Sequence, residues 1–417
     1  MRKINPFEEK NYIPVEDTYK DWKELNLKPY DKGTASPYTK TRVILMNGTE
    51  FESNWFLHQF SRHCNNNELR REIAMVRRHE QQQQKMISSL KPLDESNLET
   101  TIAYEQLAVD LTAILAQHTK DDNVRNALNF ALLEDFDHLY RYANLLEMEQ
   151  GISAKDITKE YTEIMPGRPT ISEHRHPKDS INKFICSHTS DLFTRLTTNI
   201  ITAAEQQTMN YYMNIGNHHP TETGRKIYAE IAMIEEQHVS EYGSLLDTNC
   251  TWLESWVMHE YTECYLYYSC FNDEKDPDIK AVYERLYLEE CGHLRKAAEM
   301  LERFEGKTWE CVFPNGADFP ELLKFDGNIE YIREVIKNTI HYTKDRETYV
   351  DVRTLSDKSD FKRYNKQVNK TDSIEPCHAF MGMYLRKKGK DYRYQISDHP
   401  IQELNDRMVD NTTVGRE

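Results

Sequence analysis

The sequence contains no Cys-x-x-Cys: its eight cysteines, at 64, 186, 250, 264, 270, 291, 311 and 377, stand singly. That excludes a zinc ribbon, a rubredoxin-type centre and a disulfide scaffold, and reduced thiols are expected. G-x-G-x-x-G, the Walker lysine motif and the G-x-S-x-G elbow are all missing, so neither nucleotide chemistry nor serine hydrolysis has the backbone it needs. Long apolar runs are absent and the mean hydropathy is -0.79, so no membrane span is expected. Residues 1–42 have no apolar signal-type stretch, which points to a cytoplasmic protein. Basic charge is scarce, with 53 Lys and Arg against 69 Asp and Glu. The whole deficit lies in residues 1–305, with 34 basic and 50 acidic groups, because residues 306–417 hold 19 of each. Such a surface repels nucleic acid, and the one compact basic run, Arg386, Lys387, Lys388 and Lys390, reads as a solvated loop.

Four helical hairpins are there instead, in one register. Polar turns fall at 65–67, 120–122, 219–221 and 275–277, with helix-period patterns on both sides. Across each turn a carboxylate is followed 30 residues later by a second: Glu50 and Glu80, Glu105 and Asp135, Glu205 and Glu235, Glu260 and Glu290. In the last three hairpins a histidine stands three places on, at His138, His238 and His293. Glu50 to Glu105 and Glu205 to Glu260 both span 55 residues, the two sets are offset by 155, and Gly151 and Gly306 end them equivalently. The pattern reads as a tandem duplication of a four-helix unit at 43–151 and 198–306. Residues 1–42 form an N-terminal arm, 152–197 a linker with a long helix starting near Ser180, and 307–417 an irregular C-terminal extension that wraps or caps the helices.

The first hairpin is degenerate, with Gln83 at its histidine position and its register open. Thr49 and Glu52 beside Glu50 read as a capping box, so Glu50 is expected to start a helix. Roughly two or three acid-x-x-His pairs are expected by chance in a chain of this composition. Glu173 with His176 and Glu375 with His378, both near prolines, belong to that background, and the His174-Arg175-His176 cluster reads as loop. Tyr242, Tyr261 and Tyr267 could act as radical or hydrogen-bonding groups beside the acids, but core packing is the favoured reading for them, as it is for Cys291.

Helix rise decides where the recurring acids meet. Fifteen residues from a turn is about 22 Å, so both acids of a hairpin lie at one height on antiparallel neighbours. Ile279, Val282, Leu286, Glu290, His293, Ala297 and Met300 form one i, i+3, i+4, i+7 stripe, and Leu253, Val257, Glu260, Cys264 and Tyr267 another. The acids and imidazoles thus occupy core positions. Burying four carboxylates costs several kcal/mol each or forces protonation. Two divalent cations neutralise all four.

This all-α pattern resembles the ferritin-like di-iron carboxylate superfamily of rubrerythrins, ferritins and di-iron oxygenases, in which a lone Glu on each of two helices joins a Glu-x-x-His on each of two others. The resemblance implies ferritin-like four-helix bundles. It makes Glu205 and Glu260 terminal ligands, Glu235 and Glu290 bridges, and His238 and His293 caps, with Glu263 a spare carboxylate. In that family a long crossover joins the second and third helices, whereas here Glu260 follows His238 at a spacing of only 22 residues. The rival pairing uses the 67-residue spacing of His138 and Glu205 as the crossover and builds the site from Glu105, Asp135, His138, Glu205, Glu235 and His238. The first pairing is favoured for completeness and contiguity.

The function the resemblance implies is a dinuclear centre of two Fe or Mn ions meeting O2 or peroxide, with oxidase, peroxidase or oxygenase chemistry. Electrons must come from an external donor, since no flavin, nicotinamide or rubredoxin signature is present. The alternatives are a non-catalytic iron-binding or sensing protein and a metal-free helical scaffold. A homodimer is compatible with the sequence, and no nucleic-acid or membrane partner is expected.

Overall fold

The computed structural model describes residues 4–159, 161–168, 170–370 and 375–388. Lys390 of the basic run and residues 389–417 of the C-terminal extension lie outside the described residues. Helix dominates, as the periodicity predicts. No helix among the described residues is long and apolar enough to cross a membrane.

The helices are α1 Pro37–His63, α2 Asn67–Ser89, α3 Asn97–His118, α4 Asp122–Gln150, α5 Ala154–Thr158, α6 Thr170–Glu173, α7 Leu192–His218, α8 Glu222–Gly243, α9 Trp252–Asp273 and α10 Pro277–Glu305. Most begin where the sequence supplies a cap. Asn66, Asp121, Thr221 and Asp276 accept hydrogen bonds from first-turn amides, and Ser96 with Glu99 and Thr251 with Glu254 close capping boxes. Gly151 and Gly306 end α4 and α10 at φ 69° and 66°, the left-handed conformation glycine adopts without strain. The four expected turns are those between α1 and α2, α3 and α4, α7 and α8, and α9 and α10.

Two expected starts are corrected. Glu50 begins nothing: Ser36 and Pro37 open α1, and Glu50 lies in the middle of that helix, fully buried. Nor does α7 begin near Ser180. Residues 177–180 form a 3-10 turn, and the helix starts at Leu192, where Asp191 accepts from the amides of Phe193 and Thr194.

The chain forms two compact units that do not follow sequence order. Unit 1 comprises Met1–Glu95, Phe184–Gln207 and Leu246–Phe325, and unit 2 comprises Ser96–Lys183, Thr208–Leu245 and Asp326–Glu417. The grouping expected at 43–151 and 198–306 is therefore replaced. Unit 1 joins α1–α2 to α9–α10, and unit 2 joins α3–α4 to α8 and the second half of α7, since the division falls inside that helix.

Buried charge pairs fix each grouping. In unit 1 Arg42 of α1 donates to Asp273 at 2.7 Å and Glu274 at 3.0 Å, and Thr39 to Glu274 at 2.8 Å, tying α1 to the end of α9. In unit 2 Arg175 bridges Glu134 of α4 and Glu241 of α8. An uncompensated buried charge is costly, so such pairs hold only their correct partners together.

The described part of the C-terminal extension has more regular structure than its polar sequence suggests and is shared. Residues 307–325 belong to unit 1. Unit 2 takes α11 Ile329–Thr339, close to the element expected at 328–340, an antiparallel pair β1 Tyr342–Asp345 and β2 Thr348–Asp351, α12 Asp360–Val368 and α13 Pro376–Lys388. The last of these packs on α8 and α4. Lys344 and Tyr349 of the strand pair both reach Glu241, at 3.2 Å and 2.6 Å.

Candidate metal centres

In unit 2, α3 supplies Glu105, α4 Asp135 and His138, and α8 Glu235 and His238, all fully buried. These occur where the apolar stripes of α4 and α8 are interrupted, so the polar groups have nowhere to turn but inward. Ligand atoms of Glu105, His138 and Glu235 lie within 4.8 Å of one another, as do those of Asp135, Glu235 and His238. Glu235 is common to both groups. Nδ1 of His138 is 3.1 Å from one oxygen of Glu235, and Nδ1 of His238 is 3.1 Å from the other and 3.2 Å from Asp135.

The outer ring nitrogens are held by carboxylates as well: His138 Nε2 is 3.1 Å from Glu173 and His238 Nε2 is 2.6 Å from Glu134. Glu134 is anchored by Arg168 at 2.9 Å and Arg175 at 3.2 Å, all buried. An Nε2 held outward in this way fixes each ring with its Nδ1 directed at the carboxylate layer, the orientation a metal-binding imidazole needs once that nitrogen is deprotonated. Tyr212 donates to Glu105 Oε1 at 2.6 Å, while Glu105 Oε2 has no hydrogen-bond partner.

Unit 1 repeats the arrangement with changes. Here α1 supplies Glu50, α2 Glu80 and Gln83, α9 Glu260 and Glu263, and α10 Glu290 and His293, each at 1% exposure or less. Glu80, Glu260, Glu290 and His293 bring ligand atoms within 4.8 Å of one another, and so do Glu50, Glu80 and Glu263. Glu80 is common to both. His293 Nδ1 is 2.9 Å from Glu80 and 3.1 Å from Glu290. Gln83 stands where unit 2 has an imidazole and donates to Glu290 at 2.6 Å. Tyr267 donates to Glu50 and Trp256 to Glu260. Both oxygens of Glu263 lack a hydrogen-bond partner.

The N-terminal arm runs over this centre. Ile13 donates to the carbonyl of Leu288 at 2.9 Å, Thr18 meets His79, and Lys20 pairs with Glu289 at 2.6 Å. The arm comes so close to α10 at Gly292 that a Cβ there would collide with the Ile13 carbonyl.

Without cations the carboxylates carry the strain as protonation. Burial, reinforced by Glu80 and Glu290, pushes Glu50 well above the usual range, and burial with the same neighbours does so for Glu263. Glu80 is raised to about 7 by burial and Glu290. In unit 2 burial and Glu235 raise Glu105, and burial raises Asp135. Burial opposes the charged form of Glu235 too, yet hydrogen bonds from His138 and His238 hold it down to about 2. Burial likewise disfavours the His138 and His293 cations, but Glu173 and Glu235, and Glu290 and Glu80, outweigh it and raise both. Such clusters of opposed shifts mark sites where charge is meant to be compensated.

All nine candidate residues are buried, but Glu235 and Glu290 lie in different units and not in the one site that the favoured pairing expects. Glu235 and His238 lie with the Asp135 half-site, as in the rival pairing, Glu205 falls in unit 1 with the first half of α7, and Glu260, Glu290 and His293 lie with Glu80. The degenerate hairpin is part of this second layer, through Glu50 and Glu80. Sequence reasoning missed Glu173, whose background pairing with His176 is replaced by one with His138. It missed Arg175, set aside as loop, and it ranked core packing above the hydrogen-bonding role of Tyr267, whose hydroxyl serves Glu50. Only proximity in space marks these three. Comparison of the chain with protein-family models, curated proteins and solved structures gave no match.

Proposed function

We propose that each unit is a ferritin-like helical bundle holding a dinuclear non-heme Fe or Mn centre, and that the protein reacts with O2 or peroxide as an oxidase, peroxidase or oxygenase. One observation carries this reading: in each unit two groups of potential ligands overlap in a single carboxylate, Glu235 or Glu80. A shared carboxylate between two ligand sets is what a bridged metal pair requires. The donor set is oxygen-rich with imidazole, which suits iron and manganese alike. Unpartnered oxygens on Glu105 and Glu263 are otherwise unexplained in a dry interior.

The repeat offset of 155 residues supports an internal duplication of a particular kind. Each unit takes the first hairpin of one repeat and the second of the other, so that the repeats exchange hairpins.

In unit 2, Glu105, Asp135, Glu235, His138 and His238 would hold the ions. In unit 1 the holders would be Glu50, Glu80, Glu260, Glu263, Glu290 and His293. Bound there, such a pair shares the charge and electrons of O–O cleavage. The chain's own part is to orient and to exclude water. Glu173 and Glu134 fix the imidazole planes, Tyr212 and Tyr267 fix Glu105 and Glu50, and full burial keeps bulk water out.

Anaerobic loading followed by metal analysis tests the reading, with up to four ions per chain expected from the four ligand groups. A folded chain that binds none overturns it. Rapid mixing of the ferrous protein with O2 or peroxide then separates catalysis, with repeated oxidant consumption when reductant is supplied, from storage or sensing, with one stoichiometric oxidation.

A further inference from the structure

Away from both centres, unit 1 contains a cavity of about 400 Å³ between α1, α9 and the coils that follow residues 184 and 245. That volume suits a small organic molecule. Its wall is mostly apolar and aromatic. Trp55 and Trp252 keep 47% and 39% of their surface exposed at its edge, while Phe56 is buried behind them, 5.6 Å from Trp252 and stacked 4.1 Å from His259.

The charged groups in this wall are engaged, with one exception. Asp247 accepts from the amide and hydroxyl of Ser187, and Glu254 closes the α9 capping box and pairs with Lys307 at 2.9 Å. Arg195 donates to the Val312 carbonyl at 2.7 Å and lies over the Phe313 ring. Glu52, half-buried on α1, has neither hydrogen bond nor ion pair among the described residues. Two residues beyond Glu50, it is turned about 200° around the helix from the carboxylate layer and serves the cavity instead.

We propose that this cavity binds a small organic cation, an amine or quaternary ammonium on an apolar or aromatic body, with its head on Glu52 and its body against Trp55, Phe56 and Trp252. A carboxylate among aromatic rings combines the two attractions such a molecule uses, charge pairing and the face of a π-system. A neutral ligand would leave Glu52 desolvated without compensation, and an anion would be repelled by it. The site stands independently of the metal centres.

Calorimetric titration of the full chain with phenethylamine, 2-phenylethanol and 3-phenylpropionate tests it, since the three differ chiefly in the charge of the head. The amine is expected to bind roughly tenfold to a hundredfold tighter than the alcohol, the range of a charge-assisted hydrogen bond. The carboxylate is expected not to bind. In Glu52→Gln the preference for the amine should vanish while the alcohol's affinity stays the same. Equal binding of amine and alcohol, strongest binding of the carboxylate, or no binding of any probe at about 10 mM overturns the proposal. The charge series on the unaltered chain decides the matter even if the variant fails to fold.

Discussion

Removing the carboxylate shared by both ligand groups of one unit should empty that unit and leave the other untouched. Glu235 contributes an oxygen to each group of unit 2, and His138 and His238 both lie 3.1 Å from it. Glu235→Gln keeps the shape and removes the charge. Breaking a buried charge set by deleting one partner costs about 3–5 kcal/mol, which corresponds to a loss of affinity of roughly a hundredfold to a few thousandfold for each ion that used it. A chain that holds four ions when loaded anaerobically should therefore hold two. Glu105 belongs to only one group, so Glu105→Gln should hold three. Circular dichroism would establish that both variants are folded, and metal analysis after gel filtration gives the counts. If Glu235→Gln, folded, loses one ion or none, the idea of a bridging carboxylate is wrong.

Three further outcomes are expected. Glu173→Gln should weaken metal binding in unit 2 by roughly tenfold to a hundredfold, the usual effect of losing an imidazole's outer partner, and leave unit 1 unchanged in a chelator competition. Gly292→Ala should drive the arm off α10 at a cost of about 1–3 kcal/mol, seen as faster hydrogen exchange in residues 4–20 and a lower Tm. The metal-free protein should lose stability as pH climbs. Glu80 titrates at about 7 when folded against 4.5 when unfolded, so its contribution is complete below about pH 4.5 and is lost on the way to about 7, on the order of 3 kcal/mol. Bound divalent cations need the ionised form and should reverse that slope; a metal-free Tm that rises between about pH 5 and pH 7.5 would count against the carboxylates being buried together.

Most of the helices and the inward-facing positions of the nine candidate residues were legible because both are local facts. A turn, a cap and a stripe lie within one stretch of chain, so Asn66, Asp121, Thr221 and Asp276 announce their helices and Glu290 with His293 announce their face. Pairing of hairpins is not local. The half-sites are nearly interchangeable, each a lone acid followed by an acid with or without histidine, so counting residues leaves several arrangements open. What selects one is buried charge contributed by residues with no periodic signature: Arg42 reaching Glu274, Arg175 between Glu134 and Glu241, Lys344 arriving from a strand pair late in the chain. Contiguity was the wrong guide because each of these pairs joins segments separated by tens to hundreds of residues. Gln83 shows the same limit at one position. As a residue type it looks like a lost ligand, but its amide holds Glu290 in place.

That glutamine is also where the two centres part chemically. In unit 2 each ligand group contains an imidazole, whereas in unit 1 the group of Glu50, Glu80 and Glu263 contains oxygen donors alone. Oxygen-only sets favour hard cations, and imidazole raises affinity for the later first-row metals. On the reading proposed above, unit 1 has one position suited to Mn2+ and poorly suited to Co2+, and unit 2 has none. Gln83→His should abolish the difference. Gln83 meets Glu290 at 2.6 Å as His138 meets Glu235, and Glu290 is near enough to Glu50 to act on its charge, so an imidazole at 83 adds a nitrogen donor beside the Glu50 group. Titrating Co2+ into the two proteins and following its ligand-field absorption should show three tight sites in the parent chain and four in the variant, with Mn2+ displaced only in the variant. Four equally tight Co2+ sites in the parent would mean that Glu263 and its neighbours do not discriminate, and that the oxygen-only group is not a metal position of its own.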